Sequence, residues 1–218
     1  MGTKKKKKDG LNVEQWKSLL RNQQTLAETF SLDYDTESVK EVLELAVRRV
    51  VFDRRKEYAD KYARVIDAVA TWLTDPTYSG LYLCGVVGCG KTTLMKAIGI
   101  VVNTIGDATN GKYFFRSMTA KEAMKLPCDR SQDFMVLAID DLGTEPVEVV
   151  EYGNVTTPLT DLLYYRYEHR LRTIITTNMK PEEIKERYGK RIADRMKEEY
   201  VKVAFENGSF RTAELYDT

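Results

Sequence analysis

The sequence predicts an α/β fold: a five-stranded parallel sheet sandwiched by helices, with a helical extension ahead of it. Three observations carry this. Short, nearly continuous apolar strands ("LYLCGV", "FMVLAI", "TIITT") alternate with helical stretches, the pattern of a parallel sheet buried on both faces. The first of these strands runs straight into a glycine-rich turn, "GVVGCGKTT", which opens a helix. The first third of the chain repeats its apolar residues at helical rather than strand spacing.

The elements follow in order. Residues 1–10, with the run Lys4 to Lys8, read as a disordered basic tail. Asn12 and Gln15 have capping-box spacing, and Trp16, Leu19, Leu20 and Leu26 form a partial apolar stripe, so a helix is expected from Asn12. "SLDYDTE" (31–37) reads as a loop. Ser38 and Glu41 form a second capping box, ahead of a stripe of Val39, Val42, Leu43, Ala46 and Val50. A further helix is expected from about Tyr58 to Leu73, with Tyr62, Val65, Ile66, Val69, Trp72 and Leu73 as its apolar face and Asp75-Pro76 as its stop. These stripes fit packing better than cofactor contact.

Strands are then expected at 81–86, 112–118, 133–141, 172–178 and 200–205. The helices between them are placed at 91–106, at a short turn capped by Thr119 and Glu122, around 159–169, and from Pro181, which suits a first helical turn. A loop with Gly143, Pro146 and Gly153 follows the third strand. This divides the chain into the basic tail 1–10, a helical region 11–57 suited to holding a partner, and an α/β domain 58–218.

Composition sets limits. In 218 residues, 43% are hydrophobic and 31% charged, values of a soluble globular protein. No run of 18 apolar residues exists, so no transmembrane helix is expected. No apolar segment follows the basic start, so it does not read as a secretory signal. Three cysteines, an odd number in a chain of this size, argue against a disulfide framework and for a reducing cytoplasm. The net charge is +1, but the five tail lysines carry the excess; without them acidic residues outnumber basic ones. The tail reads first as a solvated end, with phosphate-backbone contact as the alternative. The single His169, in "YRYEHRLR", reads as a surface residue.

"GVVGCGKTT" (85–93) matches the P-loop pattern. Glycines at 85, 88 and 90 let successive backbone N–H groups curl around phosphate oxygens where side chains would collide. The helix that follows presents its positive end to the same anion. In this pattern Gly85, Gly88, Cys89, Gly90, Lys91, Thr92 and Thr93 form the cradle, Lys91 reaches the β- and γ-phosphates, and the Thr92 hydroxyl ligates Mg²⁺. Cys89 reads as a small tolerated side chain. A P-loop needs a carboxylate on a neighbouring strand, and "FMVLAIDD" supplies two. Asp140 is expected on the Mg²⁺ side and Asp141 toward an attacking water. Magnesium also relieves the repulsion between these neighbours.

"GVVGCGKTT", "AIDDLGTEP" and "TIITTN", with "YGN" (152–154), "RYE" (166–168) and "YGKRIADRM" (188–196), resemble the AAA+ ATPases, and among them the DnaC-type helicase loaders and the related IstB-type transposition helpers. The resemblance spans about residues 60–211. It implies ATP and Mg²⁺ as cofactors, ATP-dependent self-association through the ATP site, a replicative helicase or a transposase as partner, and single-stranded DNA binding. It further implies Asn178 at the sensor-1 position and an arginine finger at Arg191 or Arg195. The two are four residues apart, on one helical face. Local pairs, Arg191 with Asp194 and Arg195 with Glu198 or Glu199, are the alternative. Arg166 and Arg211 are weaker candidates for phosphate or subunit contact, and Lys121, Lys125 and Arg130 for DNA. Most AAA+ ATPases place Glu where this chain has Asp141, which points to modest hydrolysis; Glu145 is the substitute to consider. Little chain follows "YVKVAFENGSFR", so no C-terminal lid domain is expected. A P-loop small-molecule kinase and a nucleotide-gated binding protein with negligible hydrolysis remain as other classes.

Overall fold

The computed structural model describes residues 29–54, 62–111, 113–151 and 153–205. The basic tail, the helix expected at Asn12, the start of the one expected at Tyr58, and Arg211 lie outside these residues. Two helices, α1 (Thr36–Asp53) and α2 (Tyr62–Thr74), precede the sheet. The main sheet holds β1 (Gly80–Gly85), β2 (Phe115–Thr119), β3 (Val136–Leu142), β6 (Arg172–Thr177) and β7 (Tyr200–Phe205), in the order β2-β3-β6-β1-β7, all parallel. Between them lie α3 (Lys91–Ala108), α4 (Ala120–Ala123), α5 (Pro158–Glu168), α6 (Pro181–Tyr188) and α7 (Lys190–Glu199). The expected five-stranded parallel sheet is therefore present.

Side-chain alternation sorts the strands onto two cores. Leu81 and Leu83 of β1, Val136 and Ala138 of β3, and Ile174 of β6 pack with α1, α2 and α3. Tyr82 and Cys84, Leu137 and Ile139, and Ile175 face the other way, onto α4 to α7. β1, β3 and β6 are apolar on both faces because each face is covered, which is why these three strands read as continuous hydrophobic runs. No helix among the described residues is long and apolar enough to cross a membrane.

Several details differ from the sequence expectation. Helix α1 starts earlier: Asp35, not Ser38, is its N-cap and accepts the Ser38 backbone N–H at 2.9 Å. A carboxylate is the better acceptor at that position, and Ser38 becomes its donor. Val42 is exposed, and Val47 and Val51 complete the buried stripe with Val39, Leu43, Ala46 and Val50. That stripe belongs to the same core as the sheet, so α1, grouped by sequence with 11–57, packs as part of the α/β unit. The strand expected at 112–118 begins at Phe115, because Tyr113 turns inward against Phe30 and Asn103 takes up the Phe115 N–H. The start of the expected strand 133–141 is shifted too, since Asp129–Asp133 form a 3₁₀ turn. The loop after β3 contains an antiparallel ribbon, β4 (Val149–Glu151) and β5 (Asn154–Thr156), that the sequence reading did not anticipate. Its three-residue strands are too short to stand out in sequence. The capping box of Thr119 and Glu122 is formed as expected, and Pro181 does open α6. His169 is exposed and stacks on Tyr165.

Arg166 and Arg172 are fully buried at the base of the sheet. Arg166 donates to Thr173 Oγ1 and to the carbonyls of Ser131 and Arg172. Burial lowers its pKa to about 10. Arg166 is thus a structural clasp; the phosphate or subunit role considered for it is excluded by its enclosure.

If α1 is integral to the fold, Leu43→Ala should lower unfolding free energy in urea by about 3 kcal/mol. Phe52→Ala, on the exposed side of the same helix, should change it by less than about 0.5 kcal/mol.

Candidate functional site

The C-terminal ends of β1, β3 and β6 meet at one edge of the sheet and deliver the candidate residues together. Strand β1 ends at Gly85, and the turn to α3 runs through Gly85, Gly88 and Gly90, all at positive φ. Gly90 is the N-cap of the 18-residue helix α3 at φ 106°, a conformation that L side chains rarely adopt. No side chain caps this helix, so its first N–H groups are directed at the loop interior, where the helix dipole also favours an anion.

Lys91 is the first residue of α3 and is only 5% exposed. Its Nζ donates to the carbonyls of Gly85 (2.8 Å) and Val86 (3.0 Å) and to Asn178 Oδ1 (2.7 Å). The Cys89 sulfur lies 3.7 Å away as a fourth, weaker acceptor; none of these partners is a carboxylate, and among the described residues the ammonium forms no ion pair. A buried cation held only by dipoles is a poor structural element and a good anion receptor. Asn178 follows β6 directly, and its side chain joins the end of this strand to the loop across 87 positions.

Thr92 Oγ1 donates to Asp140 Oδ1 at 3.1 Å, and Thr176 Oγ1 donates to the same oxygen. Thr176 also accepts the Asp141 backbone N–H at 2.9 Å. One hydroxyl thus anchors both aspartates. The ladder between β3 and β6 slips here: Ile139 pairs with Ile175 but Leu142 with Thr177, which leaves one extra residue on β3. Adjacent residues of a regular strand point to opposite faces, and the bulge re-aims them. Asp141 adopts φ 57°, a region Asp tolerates better than most residues. Its side chain is exposed and makes no hydrogen bond or ion pair with the described residues.

The remaining cradle residues divide. Cys89 is 1% exposed, and its N–H donates to Val86 O at 3.3 Å, so its side chain fills the underside of the loop. The Thr93 hydroxyl is taken up by Arg54 Nη1 at 2.8 Å, on the α1 side, which leaves only its backbone to face a phosphate. Arg191 and Arg195 both sit over the Tyr164 ring, at 5.3 and 4.8 Å. Arg195 is tethered further, by Glu168 at 2.6 Å and the Tyr167 ring at 4.4 Å. Arg191 is exposed. The local pairs with Asp194, Glu198 or Glu199, weighed as the alternative, do not form; Glu199 pairs with Arg170 and Glu198 accepts the Tyr167 hydroxyl.

Sequence reading missed Thr176. The available signal was a polar Thr176-Thr177 pair at the end of an otherwise apolar strand, level with the two aspartates. It also left Glu145 as a spare carboxylate. Glu145 is 2% exposed, accepting from the Gly143 N–H at 2.9 Å and from the Tyr188 hydroxyl. Burial, with the Glu145 hydrogen bond, pushes the Tyr188 phenol well above its ordinary range. Glu145 is therefore engaged inside the protein, away from solvent.

No protein-family model matches the sequence, and no curated protein matches it. Among solved structures, the chain is similar to the DnaC helicase loader (TM-score 0.50, 19% identity, 72% of this chain and 97% of that one). It is also similar to DnaI (TM-score 0.51, 20% identity, 81% of this chain and 99% of that one). At such identities the likeness is one of fold: the parallel sheet and its covering helices are arranged as in those two structures.

Thr176→Val keeps the shape but strands the Asp141 N–H and removes a donor to Asp140. It should lower unfolding free energy by about 1–3 kcal/mol. Thr156→Val on the exposed ribbon should fall within about 0.5 kcal/mol of the wild type.

Proposed function

We propose that the chain is an ATP-binding and slowly hydrolysing AAA+ protein of the helicase-loader kind, with ATP bridging neighbouring copies. The single observation that carries this is Lys91: a buried ammonium with only neutral partners, at the uncapped start of α3, beside Thr92, Asp140 and Asn178. That constellation suits a polyphosphate and its metal.

The Thr92 hydroxyl and the Asp140 carboxylate are adjacent hard oxygen donors, which suits Mg²⁺, an ion that keeps most of its waters and takes few protein ligands. When bound, the ion would neutralise charge on the phosphates. Lys91 would exchange its loop carbonyls for β- and γ-phosphate oxygens, keeping Asn178 as the link to β6. Asp141, whose side chain has no hydrogen-bond or ion-pair partner among the described residues, would accept a proton from an attacking water or orient it. Its side chain is one carbon shorter than Glu, so it stands further from that water, which fits slow turnover. Arg191, exposed and held among the described residues by the Tyr164 ring alone, is the better placed of the two arginines to reach a neighbouring subunit's nucleotide; Arg195 then braces α7 through Glu168.

The partner reading is a replicative helicase, with a transposase as the competing one. Lys121, Lys125 and Arg130 are exposed and are candidates for single-stranded DNA. Affinity capture that recovers a transposase and no helicase would reject the loader assignment.

Turnover assays with Mg·ATP, with and without single-stranded DNA, test the chemistry. Asp141→Asn should retain ATP binding and lower kcat by about a hundredfold or more. Asp140→Ala should weaken the Mg²⁺ dependence of binding. Arg191→Ala should lower turnover and ATP-dependent assembly while leaving monomer stability unchanged. Normal turnover in both Arg191→Ala and Arg195→Ala would contradict a finger acting between subunits.

A further inference from the structure

We propose that Glu145 is a positioning residue: its buried carboxylate ties the loop carrying Asp141 to the joint between α6 and α7. This rests on the ATPase reading above and extends it to how the two ends of the site are held in register.

The side chain of Glu145 is completely buried. On one side, Oε2 accepts the Gly143 N–H at 2.9 Å, closing the turn that begins at Asp141. The same turn is fastened by Thr144, whose hydroxyl donates to Asp141 O at 2.9 Å. On the other side, Oε1 accepts the Tyr188 hydroxyl, and Arg187 lies 3.7 Å away as its counter-charge. Arg187 also donates to the Glu145 carbonyl. Tyr188 is the last residue of α6, and Gly189, at φ 87°, is the joint to α7, whose second residue is Arg191. The turn is pressed from above as well. A Cβ on Gly143, at φ 103°, would lie 2.4 Å from Met179 Sδ, one residue beyond Asn178. Met179 thus closes over the turn at Gly143, while Asp141 and Thr144 stay exposed.

A buried carboxylate with these partners is a poor general base. Its oxygens are occupied and no solvent reaches it. Its bonds reach two otherwise separate places: the turn that sets the φ of Asp141, and the helix end that sets the direction of Arg191. Glu145 thus links the water-facing carboxylate to the arginine-bearing helix, so that a shift of α7 is transmitted to the loop.

Glu145→Gln and Glu145→Ala separate this role from catalysis. Gln can accept from Gly143 with its oxygen and donate to the Tyr188 oxygen with its amide, but it cannot act as a base. Hydrogen exchange is measured on the full nucleotide-free chain, and kcat and the ATP dissociation constant on the same proteins. Glu145→Ala should speed exchange in both 141–146 and 185–191 and lower kcat by about tenfold to a hundredfold, with ATP affinity changed by less than about threefold. Glu145→Gln should restore most of both. Tyr188→Phe should give a smaller loss of the same kind, and its effect should be non-additive with Glu145→Ala, as for groups sharing one network.

Two results overturn the inference. One is loss of kcat in Glu145→Gln equal to that in Glu145→Ala with exchange unchanged, which makes Glu145 a base. The other is faster exchange in 141–146 alone, which removes the link. Absence of turnover in the wild-type chain overturns the proposed function and the catalytic half of this inference with it; the exchange measurement still decides the mechanical link.

Discussion

The site depends on one buried charge. Lys91 is withdrawn from solvent at the start of α3 and is satisfied by two loop carbonyls and the Asn178 amide oxygen. Desolvating an ammonium costs several kcal/mol, and neutral dipoles offset only part of it. The glycine turn, the uncapped helix and the end of β6 are the surroundings that make such burial tolerable. In the proposed function a phosphate chain would supply the missing negative charge, so a geometry that is indifferent for stability would favour binding. Asn178 holds the lysine from the end of β6, the strand beside β1, and so ties the loop to that strand.

A second constraint is the slip of β3 against β6. Two adjacent carboxylates on a regular strand would face opposite sides of the sheet. The extra residue after Ile139 and the positive φ of Asp141 break that alternation. Thr176 then holds both aspartates with one buried hydroxyl. Asp140 is drawn toward Thr92 while Asp141 stays in solvent. The difference between an engaged and an exposed carboxylate therefore comes from backbone geometry, not from the identical side chains.

Much of this was legible in the sequence. The strands β1, β3 and β6 announced themselves because both faces of each are covered, so apolar runs are unbroken; β7, at the sheet edge, showed only as an alternating pattern. The P-loop was legible because its chemistry needs glycines and a lysine at fixed spacing. What stayed hidden depends on contacts between distant segments. Thr176 reads as an ordinary strand residue until β3 is laid beside it. Glu145 reads as a loop carboxylate until α6 returns to bury it under Tyr188, forty-three positions on. The Arg195 to Glu168 pair crosses from α5 to α7, so local helical spacing pointed to the wrong partners. The start of α1 was misplaced for a simpler reason. Ser38 with Glu41 and Asp35 with Ser38 are both plausible caps, and only the formed helix decides between them.

The central claim is that Lys91 is kept for binding, at no gain in stability. The direct test is calorimetric titration of Mg·ATP into the wild type and Lys91→Met, paired with urea unfolding of each. Methionine fills the same space without charge, and its loss of the Asn178 contact is cheap because Asn178 is solvent-exposed. The account predicts ATP affinity lowered by at least about a hundredfold, with stability unchanged or raised, as for replacement of buried charge by apolar groups. A Lys91→Met protein that binds Mg·ATP like the wild type but unfolds far more easily would contradict it.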